Sequence, residues 1–405
     1  MKRHVVSDFL SLHLNGKSKL LLALSGGPDS MALLYLLLES LETCDFYLHL
    51  AHVNHGWRVE SDQEAQLLMK LAKQLKLPFH LHTLKGVRRE PDMENRCRKE
   101  RLLFFTKLYH RHHFQAILLA HHSGDQAETV LKRVFEGAGL RALGGLRAIR
   151  HLGGVPIWRP LLSCTKDELR SYLDQNHIFY FEDETNRDPK YLRSRMRERI
   201  FPKIEQSFGK NIRKNCLRLG SLCLELSEYF EEKCRDIEQG LIYGPFGECL
   251  SLDFHYLELK FFLKEYAQRM EAHFSHEALN LLIDLIRQKK ENRQVHAPPL
   301  IFYVNSRYLF IVREAFPNFF EEKERWVLFK SGSGTWRNFW QGELPMPEDG
   351  VQMGDVANLE SRVRSRLTKW YLSHDVPSFF YRRAPIFIRE GKIVGECLTG
   401  RRIIT

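Results

Sequence analysis

A chain of 405 residues with 43% hydrophobic content is long enough for roughly three globular domains with cores of their own. It carries 61 Lys and Arg against 50 Asp and Glu, a net charge of +11, which suits a polyanionic partner. The longest apolar run, 31–38, is too short to cross a membrane and residues 1–3 lead into no signal-peptide core, so no membrane partner and a cytoplasmic location are expected. The eight cysteines include no C-x-x-C pair; they read as reduced packing residues rather than disulfides, a metal knuckle or a redox relay.

The apolar run 20–24 reads as a buried parallel strand and 31–41 has helical spacing. Between them lies Ser25-Gly26-Gly27-Pro28-Asp29-Ser30. Two glycines able to take positive φ, flanked by hydroxyls and followed by the positive end of a helix, form a cradle for phosphate or pyrophosphate. A Walker A loop would carry Lys-Ser/Thr, which is missing here. Asp29 among phosphates makes sense with a bridging Mg²⁺, so Asp29 is the candidate metal ligand. The same six residues also suit an ordinary strand–helix turn.

Strands follow at 46–51, 79–84 and 115–120, helices at 61–75, 92–109 and 123–136, and an extended piece at 155–162. Repeated βα units imply a doubly wound parallel sheet, so the fold class is α/β over 1–215. Ligands of such sheets sit beyond the carboxyl ends of the strands, where clusters 25–30, 52–58 and 121–129 are expected to meet. A helix at 165–176 opens on Thr165 and Glu168 at capping-box spacing. From about 187 the chain turns basic, with Arg193, Arg195, Arg197, Arg199, Lys203 and others through Arg218. Helices at 220–237, 257–271 and 277–288 with a hairpin at 300–312 suggest a mostly helical middle domain, 216–320. A small α+β domain, 321–405, closes with a helix at 361–373 and a hairpin around Gly391.

The loop at 25–30 resembles the pyrophosphate loop of the N-type ATP pyrophosphatases, which split ATP into AMP and pyrophosphate while adenylating a carbonyl oxygen. His52-Val53-Asn54-His55-Gly56-Trp57-Arg58, Arg98-Lys99-Glu100-Arg101, the run from His121 to Thr129 and Arg159-Pro160-Leu161-Leu162 narrow the resemblance to the tRNA(Ile)-lysidine synthetases. Glu182-Asp183-Glu184-Thr185-Asn186, with Arg193 and Arg197, is similar to the segment closing that family's catalytic domain, and 363–397 resembles its C-terminal domain. The resemblance is strong over 20–200, reasonable over 350–400 and weak between.

It implies a two-step reaction. ATP activates the C2 oxygen of the wobble cytidine in the CAU anticodon of an isoleucine tRNA, and the ε-amine of L-lysine then attacks C2 and expels AMP. Lysine arrives as an ammonium and must lose a proton, which calls for carboxylates. Asp125 and Glu128 meet that demand: Ser123 and Gln126 have capping-box spacing, which puts Asp125 in a first helical turn with Glu128 on the same face. Dipole complementation by Asp125 and a solvated Glu128 would explain the same pattern. Where the family commonly has two consecutive aspartates, this chain has Gly124-Asp125.

Arg98 and Arg101, at i, i+3, suit the α-phosphate or equally a solvated helix face. By resemblance, the His52 segment lies beside the adenine, so Ser25, Gly26, Gly27, Pro28, Asp29, Ser30 and His52 form the candidate ATP site. Asp125, Glu128 and Arg98 are the catalytic candidates. The basic run 187–218 and Arg362, Arg364, Arg366, Lys369, Arg382 and Arg383 are candidate tRNA surfaces. Tyr371, Phe379, Phe380 and Tyr381 read mainly as core. A homodimer is an assembly the sequence leaves open. Two other functions fit the loop: tRNA base thiolation, which the missing cysteine pairs disfavour, and a tRNA-binding protein without catalysis, which has no need of an intact loop.

Overall fold

In the computed structural model the described residues are 4–54, 56, 59–84, 93–182, 190–244, 247–313, 327–329, 336–341, 343–345, 352–355, 361–374, 376–380, 385–396 and 398. The chain divides into two compact units, Met1–Ser227 and Glu228–Thr405. Among the described residues no helix is long and apolar enough to cross a membrane.

The first unit runs α1 (Val5–His13), β1 (Ser18–Ala23), α2 (Pro28–Ser40), β2 (Phe46–Asn54), α3 (Val59–Gln74), β3 (Phe79–Thr83), α4 (Met93–His112), β4 (Ala116–Leu118), α5 (Ser123–Phe135) and the short α6 (Leu140–Leu143). Then come β5 (Ile149–Leu152), β6 (Val155–Trp158), α7 (Lys166–Gln175), α8 (Leu192–Arg195), a π-helical turn at Met196–Ile200, α9 (Phe201–Phe208) and α10 (Ile212–Gln239), whose residues from Glu228 on belong to the second unit. Among the described residues six strands form one sheet in the order β3-β2-β1-β4-β6-β5, parallel except for β5 against β6. Alternate side chains of β1 serve opposite cores. Leu20 and Leu22 pack with the apolar faces of α1, α2 and α7, while Leu21 joins Phe105 and Leu108 of α4. Helices therefore cover both faces, as an apolar strand without alternation requires.

The strand order reverses between β1 and β4. The loops leaving these neighbours, 24–27 and 119–122, thus flank the topological switch point, where open α/β sheets bind ligands. The β5–β6 hairpin turns on Gly153 and Gly154, with φ of +57° and +80°. Two consecutive glycines with positive φ are the signature of a tight hairpin, and they mark a strand, β5, that the sequence expectation of a single extended piece omitted. Helix α10 also starts earlier than expected. Gly220 looks like a boundary, but a Cβ there would lie 2.9 Å from Val130 Cγ2, so this glycine allows close packing on α5 inside a continuous helix.

The second unit contains β7 (Ile242–Gly244), β8 (Gly247–Ser251), α11 (Tyr256–Arg269), α12 (His276–Arg287), β9 (Arg293–Ala297), β10 (Leu300–Val304) and β11 (Tyr308–Arg313). It continues with β12 (Val327–Phe329), α13 (Trp336–Trp340), β13 (Glu343–Pro345), β14 (Gln352–Asp355), α14 (Ser361–Ser373), β15 (Pro385–Arg389) and β16 (Lys392–Glu396). The expectation of a mostly helical middle segment is corrected by a five-stranded antiparallel sheet, β7-β8-β11-β10-β9. Its edge strands are short and half polar, as in Arg293–Ala297, where only Val295 and Ala297 are buried, and so they carry little periodic signal. Tyr371 and Phe380 lie in a core with Trp336, Trp340 and Phe310, which favours packing over base stacking for these two rings. Tyr381 and the side chain of Phe379 lie outside the described residues.

On the first unit, His49 of β2 and His80 of β3 stack with centroids 5.3 Å apart, His49 Nδ1 lying 3.0 Å from His80 Nε2, and His112 closes the cluster. Burial, then the neighbouring imidazoles, push His49 down to about 4. The unfolded chain takes up this proton near 6.5 and the folded chain only near 4, so acid favours unfolding across that window. Thermal melts from pH 8 to 4 are expected to show a Tm that falls below about 6.5. His49→Asn should fall less steeply over the same range; parallel curves would show that this cluster does not titrate as described.

Candidate functional site

The loop after β1 is held from within. Gly26 takes φ +85° and Gly27 caps α2 in an extended conformation, with Pro28 in the first turn. The Ser30 hydroxyl, 4% exposed, accepts from the backbone N–H of Ser25 and of Gly26 at 3.2 and 3.1 Å and donates to Gly27 O at 3.0 Å. Ser25 Oγ accepts from Gly27 N–H at 3.3 Å. Ser30 is thus the internal brace that folds the loop, and Ser25 occupies one of the amides an anion would use. Phe181 seals the far side: its N–H donates to Gly26 O at 2.9 Å and its ring fills the space a Gly26 side chain would need. His52 is buried and donates from Nδ1 to Leu24 O at 2.8 Å; burial holds its imidazole below the usual range, so it braces the strand end as a neutral ring. Asn54 links the same edge, donating to Asp62 Oδ1 at 2.6 Å and accepting from Gly56 N–H at 2.9 Å. His55, Trp57, Arg58 and 183–186 lie outside the described residues.

Helix α5 begins one residue earlier than the Ser123/Gln126 spacing suggests. His122 is the N-cap: its Nδ1 accepts from Gly124 N–H at 2.9 Å, and Asp125 Oδ2 accepts from the His122 N–H at 3.1 Å. A Cβ on Gly124 would lie 2.6 Å from His122 Cε1, so the residue that departs from the usual aspartate is what lets this ring fold over the helix start. From there His122 Nε2 lies 3.8 Å from Asp29 Oδ2 and 3.7 Å from Asp125 Oδ2. Asp29 of the first loop and Asp125 of α5 therefore meet across one buried imidazole. Burial, only partly offset by His122, pushes the Asp29 carboxyl up. Burial acts on Asp125 in the same sense, but His122, its backbone N–H, His121 and Arg197 outweigh it and hold this carboxyl low. Gln126, expected as part of the cap, instead pins the loop at 144–146 after α6, donating to Gly144 O at 2.8 Å and accepting from Leu146 N–H at 2.6 Å.

Glu128 lies one turn on, its side chain 5% exposed, and both carboxylates converge on Arg197. Arg197 Nη2 donates to Asp125 Oδ1 at 2.9 Å and to Glu128 Oε2 at 3.0 Å, and its Nε donates to Glu128 Oε1. The helical spacing of Asp125 and Glu128 thus puts them side by side, as expected. Arg197, which the sequence marks as part of the segment closing the catalytic domain and of the basic run but not as a site residue, belongs to this centre.

Residues 1–204 match the family model described as a PP-loop domain. The chain is 31% identical to the tRNA(Ile)-lysidine synthase of Protochlamydia amoebophila over 98% of its length and 92% of that protein. The chain belongs to the tRNA(Ile)-lysidine synthase family. It is accordingly an ATP-dependent ligase of tRNA modification. The enzyme of the same name from Chlamydia pneumoniae is 42% identical over 56% of this chain and 70% of its own. A solved U34-tRNA thiolase from Methanococcus maripaludis is 20% identical, with a TM-score of 0.45 over 55% of this chain and 77% of that one, too loose a match to argue from.

Beside the carboxylates, this synthase concentrates positive charge. Arg159 is buried, donating from Nε to His121 Nδ1 at 3.1 Å and from Nη1 to Arg147 O at 2.8 Å. Burial, then Arg150 and Arg98, bring it down to about 10. His121 is lowered to about 4 by burial and by Arg159, Arg193 and Arg101, against the pull of Asp125. Arg98, Arg101, Arg159 and Arg193 therefore act on one region beside the carboxylate pair. The side chains of Arg98 and Arg101 themselves are exposed on α4. Of this group only Arg98 and Arg101 are paired by spacing alone, i and i+3 on one helix; Arg159 and Arg193 are marked in the sequence by resemblance, which names no partner for them. Arg159 and His121 meet only through the pairing of β4 with β6.

Proposed function

We propose that this synthase adenylates the C2 oxygen of the wobble cytidine in the CAU anticodon of an isoleucine tRNA, releasing pyrophosphate. The ε-amine of free lysine then attacks C2 and AMP leaves. The observation that carries this reading is the meeting of Asp29 and Asp125 at His122, which joins the pyrophosphate cradle to the carboxylate pair at the switch point.

In this reading the start of α2 receives the pyrophosphate, with the Gly27 amide once Ser25 Oγ gives it up. Asp29 Oδ1 is enclosed and has no hydrogen-bond partner, a donor that fits Mg²⁺. Among the described residues no three His, Cys, Asp or Glu are arranged to hold a metal alone, so phosphate oxygens and water would complete its shell. Bound there, the ion would neutralise charge on the leaving pyrophosphate. His52 keeps the edge of the adenine site in register, and Arg98 with Arg101 faces the α-phosphate. Asp125 and Glu128 receive the lysine ammonium and take its proton before attack. The exposed arginines of 190–199 and Arg362, Arg366 and Lys369, which share one side of α14, would follow the RNA backbone.

Incubation with ATP, Mg²⁺, lysine and the isoleucine tRNA, followed by digestion and mass spectrometry, tests this function. Cytidine should become heavier by one lysine less one water, with AMP released only when lysine and tRNA are both present. EDTA should abolish the product. Unmodified cytidine from folded enzyme, or a sulfur-for-oxygen mass change, would overturn the proposal.

A further inference from the structure

Every oxygen of the Asp125–Glu128 pair already has a donor. Three of the four accept from the Arg197 guanidinium, and the fourth, Asp125 Oδ2, accepts from the His122 amide. The carboxylates are 10% and 5% exposed and the Arg197 side chain 30%, so the carboxylates are the more enclosed partners of the pair. A cation approaching the pair meets another cation in its place.

We infer that Arg197 occupies the seat of the substrate ammonium in the resting enzyme and is displaced when lysine enters. The inference rests on the reading of Asp125 and Glu128 as the lysine-receiving carboxylates. A planar guanidinium with two parallel N–H groups binds a carboxylate more tightly than a single ammonium, so it excludes small adventitious cations. It still yields to a ligand that brings further contacts of its own, because the exchange replaces one positive charge by another and leaves no carboxylate buried without a partner. Arg197 thereby sets how much lysine is needed, and acts as a specificity-determining residue rather than a base or an acid.

The backbone that carries Arg197 is built for such a move. The turn Met196–Ile200 is π-helical, with Phe201 N–H bonded to Met196 O, between α8 and α9. A π turn holds one residue more than the α-helix around it, and such turns recur at functional sites. Returning it to α geometry turns a side chain by about 100° about the axis. The Arg197 carbonyl accepts from Arg213 Nη2 at 3.2 Å, and Arg213 is itself held by Glu205 at 2.8 Å. The main chain therefore keeps a side-chain donor while the guanidinium is free to leave.

The test compares wild type, Arg197→Ala, Arg197→Lys and Glu128→Gln as full-length proteins, each with its fold checked by circular dichroism and Tm. Lysine affinity is read by equilibrium dialysis and the lysine KM in the mass-spectrometric assay. Arg197→Ala should bind lysine about tenfold more tightly, because a tethered competitor at high effective concentration is gone. Arg197→Lys, unable to fork across both carboxylates, should shift the same way by less, and serves if the alanine variant does not fold. Guanidinium chloride at low millimolar, non-denaturing concentration is then added to Arg197→Ala. It should compete with lysine and raise the apparent KM. Restored turnover on adding guanidinium would make Arg197 a group the reaction needs and overturn the inference, as would unchanged or weaker lysine binding in both folded Arg197 variants. Glu128→Gln separates the two levels: weakened lysine binding supports the carboxylate seat on which the inference rests, whereas unchanged binding overturns that seat and the displacement with it.

Discussion

Replacing Asp125 by asparagine is expected to lower lysidine formation by about 10²- to 10⁴-fold, the usual contribution of a positioned acid–base group, while ATP binding survives. Asparagine keeps an oxygen that can accept from the His122 N–H, so the reciprocal cap of α5 stays intact. It removes the charge that draws a cation to this point and the site to which a proton could pass. Asp125→Ala is the less informative variant, since losing a cap costs about 1 kcal/mol of stability by itself. Single-turnover formation of lysidine from labelled lysine, run beside a nucleotide-binding titration, checks the expectation. Turnover at the wild-type rate would remove Asp125 from the chemistry. Lost ATP binding would move it into the nucleotide site, which its 3.7 Å approach to His122, the neighbour of Asp29, makes a meaningful outcome.

The second large effect is expected at Gly26. Alanine there places a Cβ 2.5 Å from Phe181 Cδ2 and 2.8 Å from Cε2. The Phe181 main chain cannot withdraw without breaking its N–H bond to Gly26 O at 2.9 Å, so the ring must swing aside about its own side-chain torsions or the loop must move. A φ of +85° adds a backbone penalty of about 1–2 kcal/mol for a residue with a side chain. Clash and strain together shift the loop by a fraction of an ångström or more, and misplacement on the scale of 1 Å costs about 10²-fold in rate. Gly26→Ala should therefore show that loss in ATP-dependent turnover together with a lower Tm. Gly27→Ala is the contrast: its Cβ would meet only Ser25 Oγ at 3.6 Å, at a φ of −75°, so its Tm should match the wild type. Equal Tm values for the two variants would contradict the close packing of Phe181 on Gly26.

What could be read without coordinates was local. The apolar run of β1, the glycine-rich loop after it and the start of α2 are neighbours in sequence, and their chemistry is legible because sterics and hydrogen bonding act over a few residues. The shared face of Asp125 and Glu128 was legible for the same reason, since helical spacing places i and i+3 together. Repeated βα units also determined the doubly wound sheet, and with it the side on which the loops would gather.

The cap of α5 was misplaced by one residue because histidine is not among the favoured N-caps; only the enclosed space left by Gly124 lets the His122 ring turn back. Gly220 and Gln126 likewise carry tertiary roles that local pattern does not show: the first serves close packing on α5 and the second anchors the loop at 144–146. The pairing of Arg197 with Asp125 and Glu128 joins residues 72 and 69 positions apart. In sequence Arg197 is one charge in a basic run and one residue of a segment marked by resemblance, and neither names its partner. Sequence thus determined which chemical groups the site has, through short-range geometry and periodicity. Tertiary structure decided which of them meet, because burial removes water as the competing partner and leaves each charged group with the neighbours the fold supplies.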